Sequence, residues 1–314
     1  MSYAFDPQLA PWVALLPEID ITDPAVARAT IAALADAGGV DVDRSGLTIE
    51  DRALGRPDGP DVRVRVYRPH THGERRAGLL YMHGGGFVIG TLDTEDTNAA
   101  TIARRLGIVV VSVDYRLAPE HPYPAGLDDC SAALTWLHDH ADDLAVDAAR
   151  VGVYGQSAGG GLAAALALRA RDRGGPPICF QFLGMPELDD RLDTASMAAF
   201  VDTPMWNRPS AVLSWRHYLG SLDGDVPYDA APARAPDLAG LAPAYVSAME
   251  FDPLRDEAID YASRLLQAGV PTELHVFPGT FHGSGFVGTA AISRRADTEA
   301  QVALRRGLRL DGTD

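Results

Sequence analysis

The stretch Val151-Gly152-Val153-Tyr154-Gly155-Gln156-Ser157-Ala158-Gly159-Gly160-Gly161 decides how the rest of the chain is read. Val151 to Tyr154 is a short β-branched and aromatic run, which reads as a strand. From Leu162 to Arg171 the chain is rich in Ala and Leu, which favours helix. Between the two, Gly155-x-Ser157-x-Gly159 has the spacing of a nucleophile elbow, a strained turn that lifts a serine hydroxyl clear of a sheet. Glycine flanks the serine because a Cβ would clash in so tight a bend. The turn also aims the N–H of Ala158 at the same point in space, and the helix N-terminus adds positive potential there. Such a pentapeptide arises by chance in Gly- and Ser-containing chains, so the strand before it and the helix after it give it meaning.

The 314 residues suit one large α/β domain or two small ones and are ample for a buried core. A net charge of −16 argues against nucleic acid and anionic membrane, which want a basic face. Cys130 and Cys179 fit reduced core residues better than a disulfide framework. The most apolar run, Gly107 to Val113, is far too short to span a membrane. The start, Met1-Ser2-Tyr3-Ala4-Phe5-Asp6-Pro7, has neither a basic nor an apolar leader region, so a soluble, cytoplasmic protein is expected. No internal repeat stands out.

Residues 1 to 40 read as helical in two pieces, the second opened by Asp23-Pro24 and closed at Gly38-Gly39. This segment precedes the first strand and is expected to lie over the domain as a lid. Leu47–Leu54 and Val62–Tyr67 read as a hairpin about the turn Gly55 to Pro60. Val62, Val64 and Val66 alternate with Arg63, Arg65 and Arg68, giving one face to the core and one to water. Strand and helix then alternate. Leu79–Met82 ends in His83-Gly84-Gly85-Gly86-Phe87, Asp96–Leu106 is helical, and Ile108–Val113 is a continuous apolar strand. Leu127–His138 is a helix and Ile178–Leu183 a strand. This rhythm implies a doubly wound, mostly parallel sheet.

Pro186 to about Leu222 breaks the rhythm with helical pieces and no strand, and reads as an insertion over the sheet's C-terminal edge. Ala244–Met249, Leu254–Gln267 and Glu273–Phe277 resume it as strand, helix and strand. The loop Pro278-Gly279-Thr280-Phe281-His282 follows, then a helix over Ser293–Leu308.

A serine hydroxyl needs an adjacent base that is itself oriented by an acid. Behind an elbow of this kind the acid comes next in the chain and the histidine last. That order leaves His217, His275 and His282 of the nine histidines. His217 lies in the insertion and His275 inside a strand, whereas His282 follows the last strand, where a base must be. The acid belongs at the end of Ala244–Met249. Asp252, followed by Pro253, is the best placed, with Glu250 in reserve; Asp-Pro is also a good helix N-cap. Asp256 and Glu257, a turn into the helix, read as solvated. Oxyanion donors are expected from Ala158 and from the His83-Gly84-Gly85-Gly86 loop, with His83 holding that loop by hydrogen bonds. Neither glycine stretch fits a phosphate-binding loop, and His70-x-His72 and His138-x-His140 lack a third metal ligand. The chemistry needs no metal and no organic cofactor.

Four motifs together resemble the bacterial hormone-sensitive-lipase-like carboxylesterases (family IV esterases), an α/β-hydrolase family. They are His83-Gly84-Gly85-Gly86-Phe87, the run from Asp114-Tyr115-Arg116 through Pro119-Glu120-His121 to Ala125, Gly155-Gln156-Ser157-Ala158-Gly159-Gly160, and Asp252-Pro253-Leu254-Arg255-Asp256-Glu257. The resemblance implies an α/β-hydrolase fold with a mostly parallel central sheet flanked by helices. Residues 1–314 would form a single domain, with a helical cap at about 1–40 and 186–222. It also implies a Ser157–Asp252–His282 triad, an oxyanion hole of Gly85, Gly86 and Ala158, and hydrolysis of small-molecule esters with short to medium acyl chains. Two positions depart from the family. Gln156 stands where an acidic residue or threonine is common, which leaves the pH profile and acyl preference open. Gly283-Ser284-Gly285 precede Phe286, where the family often has an aromatic two residues after the histidine. The alternatives are an amidase or lactonase with the same triad, and a non-catalytic ligand-binding protein such as the plant gibberellin receptors. A lipase for long-chain lipid is disfavoured, and a homodimer is allowed.

Overall fold

The computed structural model describes residues 3–17, 19–38, 43–56, 59–70 and 75–310. Its strands are β1 (Leu47–Leu54), β2 (Val62–Pro69), β3 (Arg76–Met82), β4 (Val109–Asp114), β5 (Val146–Gln156), β6 (Phe180–Gly184), β7 (Ala244–Phe251) and β8 (Thr272–Phe281). They form one eight-stranded sheet in the order β1-β2-β4-β3-β5-β6-β7-β8. β1 and β2 are antiparallel to each other, and β2 is antiparallel to β4; every later pairing is parallel. The expected alternation therefore produced the expected sheet.

The helices are α1 (Ala10–Val13), α2 (Pro24–Gly38), α3 (Asp96–Leu106), α4 (Ala125–Asp139), α5 (Ala158–Arg173), α6 (Ala195–Ala199), α7 (Arg208–Leu219), α8 (Arg255–Gln267) and α9 (Ala291–Gly307). Side chains alternate across each strand, so the sheet separates two cores. Leu80, Val111, Val153 and Val246 pack under α4, α5 and α8. Leu79, Val110, Tyr154 and Tyr245 pack under α3 and α9. Cover on both faces explains why the central strands carry unbroken apolar runs.

Three expectations are corrected. The second face of β2 does not simply meet water. Tyr67 is fully buried there and donates to Asp96 Oδ1 (2.7 Å), and Arg65 is clamped by Asp51, Asp93 and Asp96. The second correction concerns β8, which does not stop at Phe277 but runs to Phe281, so most of the expected loop is strand. Its register against β7 shifts between Met249 and Phe251, and Glu250 Oε2 accepts the Gly279 N–H (2.6 Å) at that irregularity. Thirdly, Asp256 and Glu257 are not solvated. Asp256 Oδ2 accepts the Ser196 N–H (2.7 Å), and buried Glu257 Oε1 accepts the N–H groups of Leu188 (2.6 Å) and Asp189 (3.2 Å). The two acids fasten the 186–222 insertion to α8, because buried amides there need acceptors.

At the N-terminus, Asp23 Oδ1 accepts the Ala25 (3.0 Å) and Val26 (3.2 Å) amides, as the Asp-Pro signal predicts. Gly39, the turn residues Pro57 and Asp58, and His72 lie outside the described residues. Among the described residues, no helix is long and apolar enough to cross a membrane.

Candidate active site

β5 ends at Gln156 and α5 begins at Ala158, so Ser157 alone makes the turn, at φ 55° and ψ −125°. A side chain with positive φ is strained, and here the surroundings impose it. A Cβ on Gly155 would lie 2.0 Å from Gly159 O, and one on Gly159 would lie 2.2 Å from Met82 O. Glycine is thus obligatory at both places for the reason its spacing suggested. The Ser157 N–H donates to Gly184 O (2.8 Å), and Ser157 O accepts from Glu187 N (3.1 Å).

Ser157, Asp252 and His282 come from three elements of the sheet and meet. His282 Nε2 lies 3.0 Å from Ser157 Oγ, and His282 Nδ1 lies 2.6 Å from Asp252 Oδ2. A carboxylate oxygen only accepts, so Nδ1 carries the proton and Nε2 is free to accept from the serine hydroxyl. The other Asp252 oxygen accepts the Leu254 N–H (2.9 Å) in the turn before α8, whose N-cap is Leu254, so the helix-cap reading of Asp252 is corrected while its carboxylate faces the imidazole. All three side chains are buried.

The remaining candidates have other partners. Glu250 holds the bend of β8. His275 Nε2 donates to Glu273 Oε1 (2.6 Å), and His217 Nε2 donates to Ile21 O (3.0 Å), tying α7 to the N-terminal segment. Among the described residues, one group of possible metal ligands converges, Glu273, His275 and Glu299. Arg306 pairs with Glu273 in that group.

The glycine loop faces Ser157 from β3. Gly85 and Gly86 take φ of +117° and +57°, and a Cβ would lie 2.2 Å from Ile89 O at the first and 2.6 Å from the Trp206 ring at the second. The three glycine carbonyls of the loop are engaged by other groups. Gly84 O accepts from His83 Nδ1 (2.8 Å), Gly85 O from the Val88 and Ile89 amides, and Gly86 O from Ser214 Oγ (3.0 Å). The peptide N–H groups of Gly85 and Gly86 have no acceptor among the described residues, and Ala158 N–H belongs to the unpaired first turn of α5. These are the donors an oxyanion would need. His83 is buried and stacked on Tyr115 (4.2 Å), and burial lowers its pKa below the ordinary histidine value. It holds the loop, as expected.

Over the serine lies a cavity of about 620 Å³, lined by Ile19, Ile31 and Leu34 on the N-terminal side and by Met205 and Trp206 of the insertion. The Trp206 ring centre is 5.8 Å from that of His282. Gln156 lines this chamber with its Nε2 donating to Tyr154 OH (2.6 Å), and its neutral amide brings no charge to the nucleophile.

One residue escaped the sequence reading. Glu187 is fully buried beside the elbow, and the polar group facing its carboxyl is the Ser214 hydroxyl, which donates to Gly86 O. Burial, with the nearby Asp252 charge, pushes its pKa up to about 8. A lone glutamate at the head of an insertion has no spacing to betray it; the signal was its place directly after the apolar strand Phe180–Gly184.

A family model described as α/β hydrolase fold matches residues 79–286. Esterase LipI of Mycobacterium tuberculosis is 42% identical over 263 residues, 82% of each chain. Carboxylesterase NlhH of the same organism is 42% identical over 269 residues, 83% of each chain. Among solved structures, a bacterial heroin esterase superposes with a TM-score of 0.94 at 52% identity, covering 98% of both chains. Esterase LipW from Mycobacterium marinum superposes with a TM-score of 0.89 at 39% identity, covering 97% of this chain and 96% of that one.

Proposed function

The chain belongs to the α/β-hydrolase family, in its hormone-sensitive-lipase-like branch of carboxylesterases, and on that premise we propose that Ser157, His282 and Asp252 are its catalytic triad, acting on esters of short to medium acyl chain. The hydrogen-bonded chain from Ser157 Oγ through His282 to Asp252, at the floor of a cavity, carries this reading.

Ser157 Oγ attacks the ester carbonyl as His282 Nε2 takes its proton. The oxyanion forms against the amides of Gly85, Gly86 and Ala158, each worth roughly 3 kcal/mol. Asp252 keeps the proton on Nδ1 and stabilises the imidazolium. Collapse of the tetrahedral intermediate breaks the ester C–O bond, and Nε2–H passes its proton to the leaving alcohol. Water then repeats the sequence on the acyl-enzyme and releases the acid. The N-terminal segment and the 186–222 insertion act as a cap, keeping bulk water from these steps.

The test is hydrolysis of p-nitrophenyl esters from acetate to palmitate. Activity should peak at short or medium chains, vanish in Ser157→Ala, and fall by about 10⁴ in Asp252→Asn through the wrong imidazole tautomer. A folded protein that hydrolyses none of these esters would move the reading to an amide or lactone substrate.

A further inference from the structure

Two cavities meet at Gln156. The first is the chamber of about 620 Å³ above Ser157; the second, of about 370 Å³, runs between α3 and α9 over the aromatic face of the sheet. Gln156, Met185, Gly283 and Phe286 line both. Gln156 is held at this junction from two sides. Its amide donates to Tyr154 OH (2.6 Å), and its Cγ lies where a Cβ on Gly184 would be 2.9 Å away. The second floor is a row of stacked rings, with Tyr154 to Phe182 at 4.5 Å and Phe182 to Tyr245 at 4.7 Å between centres. Phe182 is wholly hydrocarbon, whereas the flanking tyrosines carry hydroxyls, that of Tyr154 accepting from Gln156 at the junction.

The two halves of a bound ester have different needs. The leaving alcohol must sit at His282 Nε2, under Trp206 and Met205. On that side Met205 and Ile19 also line a cleft of about 890 Å³ between the N-terminal segment and residues 201–213, which gives the alcohol a way out. The acyl group instead stays bonded to Ser157, and the adjacent side chain is Gln156. We propose that the α3–α9 chamber is the acyl-chain subsite, taking an unbranched medium-length chain that runs from Ser157 past Gln156 and Met185. The uncharged amide at its mouth suits that occupant; a carboxylate there would need solvation that an alkyl chain displaces. This assignment rests on the nucleophilic role proposed for Ser157.

The test uses p-nitrophenyl acetate and octanoate, which share one leaving group, so their ratio reports the acyl side alone. Ala300→Trp and Ala296→Phe on α9 fill the second chamber without touching the triad or the glycine loop. Each should lower kcat/KM for octanoate by at least about tenfold and leave acetate within about twofold, with acetate turnover serving as the control for folding. Gln156→Glu should also disfavour octanoate more than acetate. An unchanged octanoate-to-acetate ratio in both α9 variants overturns the assignment, as does an equal fall on both esters or a wild-type enzyme indifferent to octanoate. Hydrolysis that survives Ser157→Ala would instead overturn the triad, whatever the ratio.

Discussion

Glu187 is the residue whose environment contradicts its chemistry most sharply. Its carboxyl is fully buried, and burial pushes its pKa up to about 8 against the opposing contact of the Ser214 hydroxyl. A raised acid pKa means that the folded state binds a proton which the unfolded chain, near pKa 4.3, gives up. Stability therefore falls as pH rises between those values and levels off above the higher one. Glu187→Gln removes that titration. It should be more stable than the wild type by on the order of 5 kcal/mol above about pH 8, with the gap closing near pH 4. Urea melts at the two pH values measure this, and an equal effect at both would show that the carboxyl does not titrate on folding. Ser157, Gly155 and Gly159 were legible because their chemistry is local: a strained turn needs its glycines within two residues. Glu187 was not, because what shifts its pKa is packing from other parts of the chain.

At the scale of elements, Arg28 adds a set of hydrogen bonds to the packing of Ala27 and Ile31 that holds α2. Arg28 donates to Val88 O (2.8 Å), to Ala118 O (2.9 Å) and to both oxygens of Glu120 (2.8 and 2.7 Å). The Val88 amide in turn donates to Gly85 O, so this contact reaches the oxyanion loop. Glu120 is largely exposed and its ion pair is worth little, but the two carbonyls lose partners if the arginine goes. Arg28→Ala should speed amide exchange in residues 24–34 and raise KM for a short ester by about three- to tenfold, with kcat within about threefold. Exchange and KM both at wild-type values would separate α2 from substrate binding. The Asp-Pro start of this helix could be read from the chain, but its docking partner lies 92 positions away and could not. The bend of β8 escaped for the same reason, since Glu250 and Gly279 create it across two strands.

For the whole molecule, the net charge of −16 sets the field in which any ester approaches. Such a field slows anionic ligands, and salt screens it over about 10 Å at 0.1 M. Esters carrying a carboxylate should therefore show a lower kcat/KM than neutral esters of equal size at low salt, with the ratio recovering severalfold by about 0.5 M salt. A ratio that ignores salt would place the discrimination inside the pocket.

The sequence by itself determined the parallel sheet, the elbow and the order of Ser157, Asp252 and His282. Hydrophobic periodicity, turn glycines and chain order are local or one-dimensional properties, and each leaves a pattern in the string of residues. Only the tertiary structure decided that Asp256 and Glu257 fasten an insertion, that Glu187 is shut away from water beside the elbow, and that Gln156 divides two cavities. Those facts depend on which surfaces of α3, α6, α8 and α9 close over the sheet. Burial and hydrogen-bond partners exist only once segments distant in sequence have packed together.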